Sequence, residues 1–171
     1  ENIGEGKTDG FKQKLAKVLT DYSGILWRRK AGAASIPALD DVREKIVILD
    51  QTGVADGMGC GLVYGREEYM TIQDDYNDPS PRDKFNAVTG KIKEQTEKLK
   101  LNHVSFVYKR YYLLPDPQRA AMLLNPKIDY YLSQNNNASN KTGILIYDFI
   151  DKDLAYNVFI RNFANPSQEL V

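Results

Sequence analysis

Residues 45–49 read Lys45-Ile46-Val47-Ile48-Leu49, a β-branched apolar run bounded by charged residues. A short continuous run of this kind is typical of a strand buried on both faces in a parallel sheet. Three similar runs, at 69–73, 104–108 and 143–147, predict three further strands, and 25–27 is a weaker candidate.

Helical patterns separate these strands. They are expected from Asp9 to about Tyr22, from about Pro81 to Leu99, after an Asn125-Pro126 start signal, and around 154–159. Strands that alternate with helices imply a parallel α/β sheet. Four such strands fit either a small open sheet or half of an eight-stranded barrel, and the pattern alone does not choose between them.

Composition predicts an ordinary globular domain over residues 1–171. Of the 171 residues, 42% are hydrophobic, and 23 Lys plus Arg balance 23 Asp plus Glu. Because the charge is balanced, nothing favours nucleic-acid binding or a strongly basic membrane patch. No run approaches the roughly 18 apolar residues that a membrane-spanning helix needs. The start lacks both a signal-peptide pattern and an initiator Met, so we interpret the chain as a processed product or a fragment.

The single cysteine, Cys60, lies in a glycine-rich stretch at 57–61 that is expected to form a flexible loop. It is either an inert thiol or a cross-link to another chain. Two glycosylation sequons, at Asn137 and Asn140, fall in the polar run 134–142. They favour a glycosylated surface loop and a secreted or extracellular protein.

Acidic residues follow two of the predicted strands. Asp74 and Asp75 come after the strand at 69–73, and Asp148 comes after the strand at 143–147. In parallel α/β folds the ligand site lies beyond the carboxyl ends of the strands, so each carboxylate is either a helix cap or a functional group. Asp148 has apolar residues on both sides, and a partly buried carboxylate there needs an Arg or His partner.

Three other candidates have simpler readings from the residues alone. Arg43 precedes a strand and reads as a surface charge, and Tyr76 reads as a packed aromatic. His103, the single histidine, is placed at the start of the strand 104–108, which indicates a structural role. One histidine provides no Ser-His-Asp set, no Cys-His pair and no histidine-rich metal site, and no glycine-rich phosphate loop is present. We therefore expect no metal and no cofactor.

Five segments, taken in order, carry a family resemblance. They are IPALDDVREKIVIL (36–49), TIQDDY (71–76), LNHVSF (101–106), LNPKI (124–128) and GILIYDFI (143–150). Together they resemble the acidic turn with Arg-Gly-Lys-Ile-Val, the Val-Gln-Asp-x-Tyr, the Leu-Asn-His, the Ile-Asn-Pro-x-Ile and the Gly-Ile-x-x-x-Asp-Phe-Ile segments of the bacterial-type phosphatidylinositol-specific phospholipases C, the X-domain family. The resemblance covers roughly residues 36–163, and it departs at Glu44, where the family usually has Gly.

The resemblance implies the C-terminal half of a distorted (β/α)8 TIM-type barrel. It also implies cleavage of phosphatidylinositol or of a glycosyl-phosphatidylinositol anchor, in which the inositol 2-hydroxyl attacks phosphorus and diacylglycerol leaves. By motif match, Arg43 and Asp74 would bind inositol hydroxyls, Tyr76 would stack on the ring, and Asp148 would orient the catalytic base histidine.

The family's two catalytic histidines, a phosphate-facing arginine and a lysine lie on earlier strands that this chain does not match. We therefore expect an enzyme only in a heterodimer with an N-terminal half-barrel chain, acting on lipid head groups at a membrane surface. Two alternatives stay open. One is a non-enzymatic module that binds inositol lipids or glycans, and the other is a structural protein whose exposed half-barrel face binds another partner.

Overall fold

The computed structural model describes residues 8–29, 36–107, 116–134 and 141–162. Five helices are present in these ranges: α1 (Thr8–Asp21), α2 (Val54–Gly57), α3 (Pro81–Lys93), α4 (Pro117–Ser133) and α5 (Lys152–Phe159). The same ranges contain five strands, of which β2 and β3 follow each other without a helix between them: β1 (Ile48–Asp50), β2 (Gly61–Val63), β3 (Met70–Gln73), β4 (Leu99–His103) and β5 (Ile144–Ile146). Short 3-10 helices span Leu39–Val42 and Ile160–Asn162.

The chain divides into two compact units, Glu1–Tyr69 and Met70–Val171. In the first unit, β1 and β2 pair in parallel, with Ile48 opposite Gly61. Leu26 forms an isolated parallel bridge to Ile46, as expected of the weak run at 25–27. The core of this unit contains four buried residues, Leu19, Leu26, Ala55 and Cys60.

The second unit holds a three-stranded parallel sheet in the order β3-β4-β5. Met70 pairs with Leu99 and Leu101 pairs with Ile144, so all three strands run the same way. Helices α3, α4 and α5 supply most of its core, together with two residues that follow β4; its buried members are Val88, Ile92, Val104, Phe106, Ala120, Leu124, Ile128, Leu132 and Leu154. The expected parallel α/β arrangement is therefore present.

The glycine-rich stretch at 57–61 is not a flexible loop. It ends α2 and begins β2, and the Cys60 side chain within it is fully buried. A Cβ on Gly61 would lie 2.8 Å from the Cβ of Ala55, so the glycine allows α2 to pack directly on β2. The burial of Cys60 favours an inert thiol over an interchain cross-link.

The strand predicted at 104–108 was placed too late, because the ladder forms at Leu99–His103. Lys100 and Asn102 make this strand look polar, yet both are buried and face α3. The Asn102 amide donates to the Val88 carbonyl at 2.9 Å, and Lys100 Nζ donates to the Ile92 carbonyl at 2.9 Å. The buried polar groups of this strand are therefore satisfied by helix carbonyls, and the strand lacks the run of apolar residues by which strands were predicted from the sequence.

The helix predicted to start at Asn125-Pro126 instead starts nine residues earlier. Asp116 is its N-cap, with a side chain that accepts from the Arg119 N–H, and Pro117 occupies the first turn. Pro126 lies inside α4.

Helix α3 begins at Pro81 as predicted, with Ser80 as its N-cap. It ends at Lys93 rather than near Leu99. Lys100 stabilises this end, because its Nζ donates to two carbonyls in the last turn and just beyond it, those of Ile92 and Glu94.

Candidate functional site

The carboxyl ends of β3, β4 and β5 form one edge of the second unit's sheet. Gln73 pairs with Asn102, and His103 pairs with Ile146, so the three strands end almost level. Asp74 follows β3 directly, His103 ends β4, and Asp148 lies two residues beyond β5. Since neighbouring strands lie about 4.8 Å apart, these side chains start within reach of one small ligand.

His103 lies at the carboxyl end of its strand, so its predicted placement at the amino end was wrong. The error follows from the misplaced strand, since β4 ends at His103 instead of beginning there. His103 Nδ1 is 3.8 Å from Asp74 Oδ1, with side-chain exposures of 20% and 44%. The pair is an ion pair only when the imidazole is protonated.

The segment after Asp74 is held in place by a backbone hydrogen bond. The Tyr76 carbonyl accepts from the Val107 N–H at 2.9 Å, within a parallel bridge between Asn77 and Val107. The Tyr76 side chain itself is exposed. A rigid backbone that presents an exposed aromatic ring suits stacking on the apolar face of a ligand.

Asp148 sits in a sharp turn after β5. The next residue, Phe149, has a positive φ of 54°, a conformation rare for a side chain of this size. The Asn125 amide donates to the Asp148 carbonyl at 3.0 Å and so anchors the turn from α4. Within the described residues the Asp148 carboxylate makes no hydrogen bond or ion pair, which leaves it available to a group outside them.

Arg43 lies in the first unit, at the end of the 3-10 helix Leu39–Val42. Its Nε donates to Asp40 Oδ1 at 2.8 Å, and 78% of its side chain is exposed. Glu44, where the resembled family has Gly, adopts a positive φ of 60°. The turn therefore keeps the left-handed conformation that favours glycine, although the residue is glutamate.

Sequence reasoning missed two groups beside this edge. Asn125 was interpreted as a helix cap, although its amide holds the Asp148 turn. Lys84 was not singled out at all, and it is completely buried, with Nζ 2.5 Å from the Asp75 carbonyl oxygen. Lys84 could have been identified from the sequence, because it lies on the core-facing side of a predicted helix, where lysine is rare.

Other expectations concern metals, membranes and glycans. Across residues 8–29, 36–107, 116–134 and 141–162, no group of three or more His, Cys, Asp or Glu side chains is placed to hold a metal ion. None of the helices in those ranges has the length and apolar character that crossing a bilayer requires. Asn137 and Asn140 lie outside the described residues.

The fold and this edge define a class of protein: a parallel α/β chain with acidic and aromatic side chains at the carboxyl ends of its strands. No family model matches the chain. It is 28% identical over 172 residues to a 1-phosphatidylinositol phosphodiesterase of Listeria monocytogenes, covering 94% of this chain and 53% of the relative. A solved phosphatidylinositol-specific phospholipase C from Listeria monocytogenes matches with a TM-score of 0.77 and 27% identity, covering 95% of this chain and 60% of that one.

The chain is thus homologous to the bacterial phosphatidylinositol-specific phospholipases C, as the resemblance predicted. Its fold is that of part of their TIM-type barrel, which confirms the fold class. The chain spans about half the length of the curated relative that it matches.

Proposed function

We propose that this chain provides the inositol-binding part of an enzyme that cleaves phosphatidylinositol or a glycosylated form of it. The observation that carries this proposal is the shared sheet edge, at which Asp74 and Tyr76 follow β3, and Asp148 follows β5, in one three-stranded parallel sheet. Homology to phospholipases C that act on phosphatidylinositol supports the choice of ligand.

The chemistry of the edge matches an inositol ring. The ring is neutral and carries hydroxyls around an apolar carbon face, so it requires hydrogen-bond acceptors and donors beside an aromatic surface. Asp74 offers two acceptor oxygens, and the exposed Tyr76 ring offers the surface. Arg43 is proposed as a donor to further hydroxyls.

Turnover requires a base that accepts the proton of the 2-hydroxyl and an acid that protonates the diacylglycerol oxygen as the P–O bond breaks. We propose that Asp148 orients the base histidine. The chain has one histidine, so two histidines with these roles require a second source. An N-terminal half-barrel segment, acting as a separate chain, is proposed to supply them.

Binding without turnover is the second candidate function. The single histidine favours it, because an inositol-lipid or glycan module needs the Asp74 edge but no acid-base pair. Secretion, and glycosylation at Asn137 and Asn140, remain parts of the proposal for either function.

Equilibrium dialysis of the full chain with labelled myo-inositol tests the proposal. Asp74→Asn is expected to weaken binding by about tenfold, since it removes a charged acceptor. Glu97→Gln is the matched control, because Glu97 is an exposed carboxylate just before β4, at the opposite edge of the same sheet. Equal affinities for Asp74→Asn and the unmodified chain would show that this edge does not bind inositol.

A further inference from the structure

Lys84 is a fully buried cation directly behind the proposed inositol-binding segment. It lies on α3, none of its surface is exposed, and its Nζ points back toward the loop that joins β3 to α3. Nζ donates to the Asp75 carbonyl oxygen at 2.5 Å. This carbonyl lies between Asp74 and Tyr76, the two residues proposed to contact the ring.

Gln73 extends the same network to β4. With its amide oriented so that the nitrogen faces acceptors, Gln73 donates to Asn102 Oδ1 at 3.0 Å and to the His103 carbonyl at 2.8 Å. Its oxygen then accepts from the Asp75 N–H at 3.1 Å and from Lys84 Nζ at 3.2 Å. The network therefore joins α3 to the ends of β3 and β4 at the Asp74 position.

A buried ammonium of this kind is unfavourable for folding. Burial lowers the pKa of Lys84 to about 8, although the nearby Asp75 and Asp74 carboxylates act in the opposite direction. An apolar side chain of similar length would avoid the desolvation of the charge. Groups that are unfavourable for stability and lie beside a ligand site are commonly kept for their effect on that site.

We propose that Lys84 is a positioning residue of the inositol site, whose ammonium holds the Asp74–Tyr76 segment in the geometry that receives the ring. This inference rests on the proposed function. The positive charge adds a second effect, since the ammonium is near enough to the Asp74 carboxylate to interact with it electrostatically, while the Tyr76 ring stays exposed.

A purely structural role makes a different prediction. If Lys84 only supported the fold, its loss would lower the stability of the chain and leave inositol affinity unchanged. As a positioning residue, its loss lowers affinity, while stability stays level or rises because a buried charge has been removed. Affinity and stability are therefore measured together.

The test compares Lys84→Met with Lys91→Met in the full chain. Lys91 is a matched control on the same helix, because its Nζ donates to Thr71 Oγ1 at 2.6 Å and to Glu94 Oε2 at 2.6 Å, near the amino end of β3. Lys84→Met is expected to bind myo-inositol about tenfold more weakly at pH 7.5, with an unchanged or higher urea midpoint. Lys91→Met is expected to keep its affinity. Unchanged affinity in Lys84→Met would overturn the inference.

The pH dependence of the unmodified chain keeps the inference testable even if Lys84→Met does not fold. The charged groups that face Lys84 are Asp74 and Asp75, with His103 beside Asp74. Affinity is expected to fall several-fold between about pH 7.5 and 9.5 as the ammonium loses its proton. A flat profile would contradict the inference.

The Asp74→Asn variant distinguishes the proposed inositol-binding function from the positioning role of Lys84. If Asp74→Asn loses affinity but Lys84→Met does not, the proposed function stands and Lys84 is only structural. If the unmodified chain binds no myo-inositol at any pH, the proposed function fails and the inference fails with it.

Discussion

The proposed contacts of Asp148 and Tyr76 act at different stages of the reaction. Asp148 would support the histidine base as it gains a proton, so its contribution is largest in the transition state. Tyr76 would stack on the ring equally before and during reaction. The two residues therefore affect different kinetic constants.

We expect Asp148→Asn to lower kcat of the assembled enzyme by about two orders of magnitude or more. Tyr76→Ala should mainly raise KM, by about 1–2 kcal/mol of binding free energy. The loss of turnover caused by Arg43→Ala should be intermediate between the losses caused by the other two variants. Steady-state kinetics on a soluble inositol phosphodiester measure this without a membrane-binding step. Near-normal kcat in Asp148→Asn would show that Asp148 has only a structural role in the turn after β5.

Glu44 offers a test of backbone strain. A left-handed conformation costs a non-glycine residue about 1–2 kcal/mol, and glycine gives back part of this through the freedom of the unfolded chain. Glu44→Gly is therefore expected to raise the free energy of unfolding by about 0.5–1 kcal/mol. Glu44→Ala is the control, since it removes the carboxylate but keeps the positive φ. Urea unfolding that finds both variants equally stable would show that the turn is unstrained.

His103 illustrates what single-residue reasoning could and could not predict. The residue was recognised as the only histidine, but its role was inferred from a strand placed five residues too late. Asp74 and Asp148 were placed correctly at strand ends, because the runs predicted at 69–73 and 143–147 contain the strands Met70–Gln73 and Ile144–Ile146. A side chain's place at a strand end was predictable only where its strand was.

At the scale of elements, β4 was the hardest to predict. Lys100 and Asn102 face α3 and bond its carbonyls, and such contacts depend on a helix that is distant in sequence. No local pattern reveals them. By contrast, α3 begins at its predicted residue because Ser80 and Pro81 form a local start signal.

The β4–β5 pairing depends on Gly143. A Cβ at this position would lie 2.5 Å from both the Cβ and the carbonyl oxygen of Lys100, and its φ is +72°. Gly143→Ala is expected to destabilise the chain by about 2–4 kcal/mol. Gly90→Ala in α3 is the matched control, because nothing lies within 4 Å of a Cβ there and alanine favours helix. Equal urea midpoints for the two variants would contradict the close approach.

Lys84 also predicts how stability changes with pH. Its pKa is about 8 in the folded chain and 10.5 in the unfolded one, so the unfolded chain holds more protons between these values. Stability relative to Lys84→Met should therefore rise with pH from about 8 to 10.5, with a slope of up to about 1.4 kcal/mol per pH unit. Urea unfolding across this range measures the difference. If the stability of the unmodified chain relative to Lys84→Met fell over this range instead, the ammonium would be favourably paired in the folded chain.

At the scale of the whole molecule, binding and turnover are expected to separate. The chain alone should bind inositol but leave a soluble inositol phosphodiester uncleaved, because it has one histidine. Mass analysis of native material under non-denaturing conditions should reveal an accompanying N-terminal half-barrel chain, and that complex should cleave the substrate. Turnover by the rigorously purified chain would contradict the proposed division of roles.

Residue-resolved NMR titration of the full chain with myo-inositol tests the central claim most directly. The account predicts saturable shifts at the backbone amides of Gln73–Tyr76, of His103 and of the turn after β5, with glucose giving none at the same concentration. Shifts confined to residues 94–100, at the opposite edge of the sheet, or no saturable shifts at all, would contradict it.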